Sequence, residues 1–292
     1  MRPEGLTAKV FLDSGDPEET KEIIDILGFL DGQTTNPTLI SRNPQIKKMI
    51  EENGKFSRRK LLGIYEEKAR EISELIPDGS VSIEVYADRH TKMSSMLEQA
   101  FEMYEWIDNA HIKLPATTAG IEAAIEMAKK KMKINMTLCF TQGQGVVVYA
   151  ATKCAKNGDI YLSPFIGRLD DIGYRGMDLV QNLKRMYNKV NSHVLVLAAS
   201  IRNVRDLKEA LSIADIATVP FKVLKEWGKL GMPLDVEADE RDLKLISYDE
   251  IDPGEFGSCF YPFFHALIGK GLQGFADDWN SLLVDSEKYS RR

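Results

Sequence analysis

Lys113 stands out for its position. In HIKLPATTAG, residues 111–120, it sits at the end of a short apolar run and is followed at once by a helix start. Other strand-like runs along the chain also end in polar or functional side chains: Asp13 after KVFL, Asn36 in TTNP, Glu84 in VSIEV, Asn135 and Thr137 in INMTL, Ser163 and Phe165 in YLSPF. A lysine attacks a carbonyl only as the neutral amine, and burial disfavours the ammonium, so an amine at a buried strand end suits Schiff-base chemistry. Two nearby carboxylates would divide the proton transfers, because imine formation must lose water and aldol cleavage must remove a hydroxyl proton. The alternative is a structural lysine paired with Glu84 or Asp13. Arg168 in SPFIGR and Arg202 in AASIRN follow two successive strand-like runs. Guanidinium groups placed after adjacent strands suit a phosphate clamp; isolated surface ion pairs are the other reading.

Other chemistries find less support. The four histidines, His90, His111, His193 and His265, show no HxH or HExxH spacing, so a metal site is not expected. No Walker loop or dinucleotide fingerprint appears, and QGQG at 142–145 is too short a signal for a cofactor. Cys139, Cys154 and Cys259 are far apart and form neither a CxxC pair nor a disulfide framework; reduced, buried thiols are expected. A net charge of -6 with interspersed signs argues against a protein that coats nucleic acid or an anionic membrane. With no membrane-length apolar run and no secretory-type start, the cytoplasm is the expected location.

These side chains need a scaffold that brings many strand ends to one place. From Lys9 onward, β-branched runs alternate with amphipathic stretches, the pattern of repeated βα units and a parallel sheet. Strands are expected at 8–14, in GQTTN, at 81–87, in HIKLP, and at 133–140, 159–165, 193–200 and 216–220. Within VSIEVYA, Ser82, Glu84 and Tyr86 share one face and Val81, Ile83 and Val85 the other. Eight units in 292 residues predict a single (β/α)8 TIM barrel, whose catalytic groups come from the C-terminal ends of different strands. A doubly wound open sheet is the runner-up. The rhythm stretches at 43–77, where EENGKFSRRK reads as an inserted turn between helices. It stops after Trp227, leaving an acidic, turn-rich segment and an aromatic helical tail. Residues 229–292 are therefore expected to be a C-terminal extension of the one domain, packed on the barrel or on a neighbouring subunit.

Five motifs in order, TTNPTL at 34–39, IKLPATTAG at 112–120, INMTLCF at 134–140, SPFIGR at 163–168 and AASIRN at 198–203, resemble those of the transaldolase family, which includes the fructose-6-phosphate aldolases. The resemblance runs from about Lys9 to Trp227. It implies that Lys113 forms the Schiff base, that Asp13 takes the proton from the substrate C4 hydroxyl, and that Glu84 with Thr137 handles a catalytic water. By the same resemblance Asn36, Asn135 and Ser163 hold substrate hydroxyls, while Arg168, Ser200 and Arg202 hold the phosphate. The implied reaction needs no cofactor and takes sugar phosphates, moving a dihydroxyacetone unit between them in the pentose phosphate pathway.

Glu84 and Phe165 look like the transaldolase pattern, since the aldolase relatives tend to carry glutamine and tyrosine there. Aldol cleavage that releases free dihydroxyacetone is the alternative. A reading of another class is a non-catalytic sugar-phosphate binder, or a scaffold that meets partners through its acidic 229–258 segment. RLDDIGYRGMDL at 168–179 is similar to the shorter-chain branch of the family, from which the 43–77 and 229–258 segments depart. A homo-oligomer is expected.

Overall fold

In the computed structural model, residues 2–255 and 264–288 are described. Cys259 and the aromatics Phe260, Tyr261 and Phe263, singled out in the sequence, lie outside them. Eight parallel strands close into a barrel in sequence order, from β1 (Lys9–Asp13), β2 (Gly32–Thr34) and β3 (Ser80–Glu84) through β4 (Ala110–Pro115) and β5 (Ile134–Cys139) to β6 (Ile160–Pro164), β7 (Val194–Ala198) and β8 (Ile216–Pro220). β8 pairs back onto β1, so the sheet has no free edge. The (β/α)8 expectation holds; each strand overlaps the stretch expected from sequence, with β3 and β4 beginning one residue earlier, at Ser80 and Ala110.

The strands form where apolar β-branched residues run together, and their inner side chains meet across the barrel. Phe11 of β1 packs edge-on against Tyr161 of β6, with ring centroids 6.0 Å apart, and Tyr161 stacks on His111 of β4 at 4.1 Å. Strands that are not neighbours touch only through the barrel interior, so these rings plug it below the polar strand ends. Gly32 is required there because a Cβ would press on the Phe11 ring.

Helices α1 (Pro17–Leu27), α2 (Pro37–Arg42), α3 (Pro44–Asn53) and α4 (Arg58–Leu75) cover the first quarter of the barrel. The stretched rhythm at 43–77 is thus two helices, α3 and α4, joined by a turn at Gly54. Further round come α5 (Met93–Tyr104), α6 (Thr118–Lys129), α7 (Gln142–Ala151), α8 (Ile166–Asp170), α9 (Gly176–Lys189), α10 (Val204–Ile213) and α11 (Phe221–Lys229). Capping side chains mark many of the starts: Asn36 accepts from Leu39 N at 2.9 Å, and Thr117 accepts from Gly120 N at 3.1 Å. QGQG opens α7 with a capping box between Thr141 and Gln144, which gives those residues a structural role.

The acidic segment after α11 is strapped to the barrel. Arg241 pairs with Asp170, Asp206 and Asp239, Arg205 pairs with Asp239 at 2.7 Å, and Lys208 reaches Glu237 at 2.5 Å. Hydrogen bonds from Arg241 and the charges of Arg205 and Arg241 hold the Asp239 carboxyl far below the usual range. Asp235, Glu237, Asp239 and Glu250 of this segment thus meet cations of the same chain. The tail helix α12 (Ala266–Ser281) then crosses the C-terminal end of the barrel and packs on α2. Beyond it, Leu283 bridges Phe56 in the turn before α4, with Phe56 N donating to Leu282 O at 2.9 Å and Val284 N to Phe56 O at 2.9 Å. Arg58, the first residue of α4, donates to the carbonyls of Glu287 and Lys288. The two stretches that interrupt the barrel rhythm therefore clasp each other.

One expectation fails. Cys139 is buried, its thiol pushed up to about 12 by the loss of water, but Cys154 is exposed. It lies in the turn beyond α7, two residues past the buried C-cap Thr152. No helix of the described residues is long and apolar enough to cross a membrane.

Candidate active site

Parallel pairing sets Glu84 of β3 level with Lys113 of β4, and Lys113 level with Asn135 of β5. Residues level in a parallel barrel point to the same side, so three chemically active side chains stand shoulder to shoulder at the C-terminal end. Lys113 Nζ lies 3.0 Å from Glu84 Oε2, with both side chains almost fully buried, and it donates to Thr35 O at 3.3 Å. The structural pairing foreseen from sequence exists, but it does not exclude chemistry, because the amine also lines an open cavity. Burial raises the Glu84 carboxyl, and the neighbouring Lys113 charge only partly counters this.

Asp13 ends β1 beside Thr34 of β2. Thr34 Oγ1 donates to Asp13 Oδ1 at 2.6 Å and lies 2.6 Å from Thr218 Oγ1 of β8. Loss of water raises the Asp13 carboxyl, while the Lys113 charge and the Thr34 hydrogen bond pull it down. Two carboxyls flanking one amine are thus held where a proton can be taken up or given back nearer neutrality than an exposed carboxyl allows.

On the other side, Asn135 Nδ2 donates to Ser82 Oγ at 3.1 Å and Ser163 Oγ donates to Asn135 Oδ1 at 2.6 Å. Thr137, two residues further along β5, is fully buried, and its hydroxyl has no hydrogen-bond partner among the described residues. β5 is irregular just there: its register to β6 shifts between Met136 and Cys139, and Leu138 has a φ of 59°.

A cavity of about 400 Å³ opens above these groups. Its walls bring together Asp13, Asn36, Lys113, Ser163, Phe165, Arg168, Ser200 and Arg202 from the sequence-derived set. Glu84 contacts the amine and Asn135 contacts Ser163 from behind that wall, and Thr137 is likewise fully buried outside the cavity lining. Arg168, on α8, is half-buried over the Phe165 ring, and burial together with the Arg202 charge lowers its proton affinity. Arg202 is exposed and pairs with Asp171 at 2.8 Å, the surface pairing that was its alternative role. Ser200 adopts a φ of 64°, which turns the chain between β7 and Arg202.

The remaining walls were not foreseen. Thr38 and Arg42 of α2 and Gly274, Phe275 and Asp278 of α12 complete the cavity, with Thr38 hydrogen-bonded to Asp278. The tail carries Gly271, Phe275 and Trp279 at a four-residue spacing, which announces an apolar helix face but not the surface it covers. Tyr65 of α4 is a hidden brace: its hydroxyl accepts from Glu84 N at 3.0 Å and lies 2.5 Å from Thr35 Oγ1.

The model of a family described as transaldolase/fructose-6-phosphate aldolase matches residues 10–285. The chain belongs to this family. A probable transaldolase of Thermoplasma volcanium is 38% identical over 74% of this chain and 86% of its own length. One from Lysinibacillus sphaericus is 34% identical over 93% of this chain and 97% of its own, and one from Bartonella tribocorum is 39% identical over 93% and 96%. Membership of the transaldolase/fructose-6-phosphate aldolase family makes the chain an enzyme homologue, and the matched span takes in both α4 and α12.

Proposed function

We propose that this protein is a transaldolase that carries a dihydroxyacetone unit from a ketose phosphate to an aldose phosphate on Lys113. The observation that carries the reading is the buried Lys113–Glu84 pair at 3.0 Å, opening onto a cavity walled by Asp13 on one side and by Arg168 and Arg202 on the other. A neutral Lys113 amine, its proton passed to Glu84, adds to the C2 carbonyl of the ketose. Loss of water then gives the iminium, with Glu84 and the unpartnered Thr137 hydroxyl placed to handle that water. Asp13 accepts the C4 hydroxyl proton, the C3–C4 bond breaks, and its electron pair flows into the iminium to leave an enamine on Lys113. The aldose phosphate departs with its new carbonyl. An incoming aldose is attacked by the enamine, and Asp13 returns the proton to the alkoxide. Water added to the resulting iminium then breaks its C–N bond to release the new ketose phosphate and the Lys113 amine. Asn36, Asn135 and Ser163 would hold the donor hydroxyls, Phe165 the apolar wall, and Arg168, Ser200 and Arg202 the phosphate. The names of the relatives and the glutamate at position 84 support transfer over simple aldol cleavage.

Borohydride reduction in the presence of fructose 6-phosphate, followed by peptide mass mapping, should place a three-carbon adduct on Lys113. Absence of an adduct on that peptide removes the enzyme reading. Where the adduct forms, transfer to erythrose 4-phosphate should exceed release of free dihydroxyacetone; the reverse ratio would make the protein an aldolase.

A further inference from the structure

Arg168 lies beside two rings, one three residues before it and one on the C-terminal tail. Its guanidinium carbon lies 5.2 Å from the centroid of Phe165 and 5.5 Å from that of Phe275, on the tail helix α12. One turn earlier on α12, a Cβ built on Gly271 would stand 2.6 Å from Arg168 Nη1 and 2.5 Å from Leu138 Cδ2. Glycine at 271 therefore leaves the space that the guanidinium fills. We propose that Phe275 and Gly271 are positioning residues that fix Arg168 as an anion-binding fork, so that α12 sets the preference of the cavity for phosphorylated sugars.

The physical case rests on the shape of guanidinium. Its faces are weakly hydrated and are attracted to ring faces, whereas its N–H groups donate in the plane. The Phe165 and Phe275 rings lie within 5.5 Å of the guanidinium carbon, and ring contacts of this kind use none of the N–H groups with which a guanidinium binds phosphate. An arginine without this support has many rotamers to freeze on binding. Phe275 is buried and lines the same cavity as Lys113, so the brace and the chemistry share one chamber. Gly271 lies within α12 at a site where alanine suits the helix better; the atoms it would strike are the mobile ends of two side chains, so Arg168 has to move while the fold persists.

This proposal rests on reading Arg168 as part of a phosphate site, and its test separates the two. Inorganic phosphate is titrated calorimetrically into the wild type and into the F275L, F275Y, G271A and R168A variants. F275L and G271A should weaken phosphate about five- to tenfold, the scale of one cation–π brace, and F275Y should restore it. R168A should abolish binding in the cavity. In borohydride trapping, F275L should raise the half-saturating concentration of fructose 6-phosphate far more than that of unphosphorylated dihydroxyacetone. Unchanged phosphate affinity in F275L and G271A, equal losses for both ketoses, or no Arg168-dependent phosphate binding in the wild type would each overturn the proposal. If phosphate behaves as expected but no ketose is trapped on Lys113, the transaldolase reading fails and the brace stands.

Discussion

The hydroxyl of Thr34 is a small group with a direct hold on a carboxyl of the proposed site. It gives Asp13 a 2.6 Å hydrogen bond that favours the carboxylate, against the loss of water that favours the acid. If Asp13 must be ionised to accept the substrate hydroxyl proton, the acid limb of the activity profile reports its protonation. Removing the bond in a Thr34→Val variant raises the Asp13 carboxyl further, so that limb should move to higher pH, while Thr34→Ser leaves it in place. A limb that stays put in the valine variant would detach Asp13 from the proton transfer. Asp13, Glu84 and Lys113 were legible in the sequence because strand ends and two-residue alternation place side chains without knowledge of distant contacts. Thr34 is not legible in this way, because nothing local says that its hydroxyl faces Asp13 on the neighbouring strand.

At the scale of elements, β4 and α6 meet at a junction with no slack. Gly120 packs its backbone on the Pro115 carbonyl, and a Cβ there would collide with a backbone atom that cannot swing away. Gly120→Ala should therefore cost about 1–3 kcal/mol in urea unfolding although alanine suits helices better, with part of the strain pushed back along β4 toward Lys113. Wild-type stability in this variant would show that the junction has room. The barrel strands themselves were legible because each carries its own apolar run and its own polar end. The walls made by α2 and α12 were not: amphipathic spacing predicts a buried face, yet where it packs in this chain depends on Thr38–Asp278 and Phe56–Leu283, contacts that span most of the sequence.

For the molecule as a whole, the plug of the barrel links stability to pH. His111 stacks on Tyr161, and its Nδ1 lies 2.7 Å from Ser80 Oγ, with burial holding the imidazole down at about 3. Unfolded, the same ring titrates near its ordinary 6.5. Between these values the unfolded chain binds a proton that the folded chain refuses, so this residue's contribution to stability is intact above about 6.5 and is lost as pH falls toward 3. The His111→Gln variant should flatten the fall of unfolding free energy in that window by up to about 1.4 kcal/mol per pH unit. Parallel curves for the two proteins would show that the ring is protonated in the folded state.

Arg202 and Asp171 give the proposed phosphate site an unequal pair of arms. Arg168 lies beside two rings, whereas Arg202 already holds an anion, a carboxylate of its own chain at 2.8 Å in an exposed pair. Such a pair contributes little to stability, so a phosphate can displace it readily. Capture at Arg202 is then an exchange of one anion for another, and departure is helped by a tethered competitor that never diffuses away. The residence time of a phosphorylated product would be set by how often Asp171 swings back to reclaim its partner.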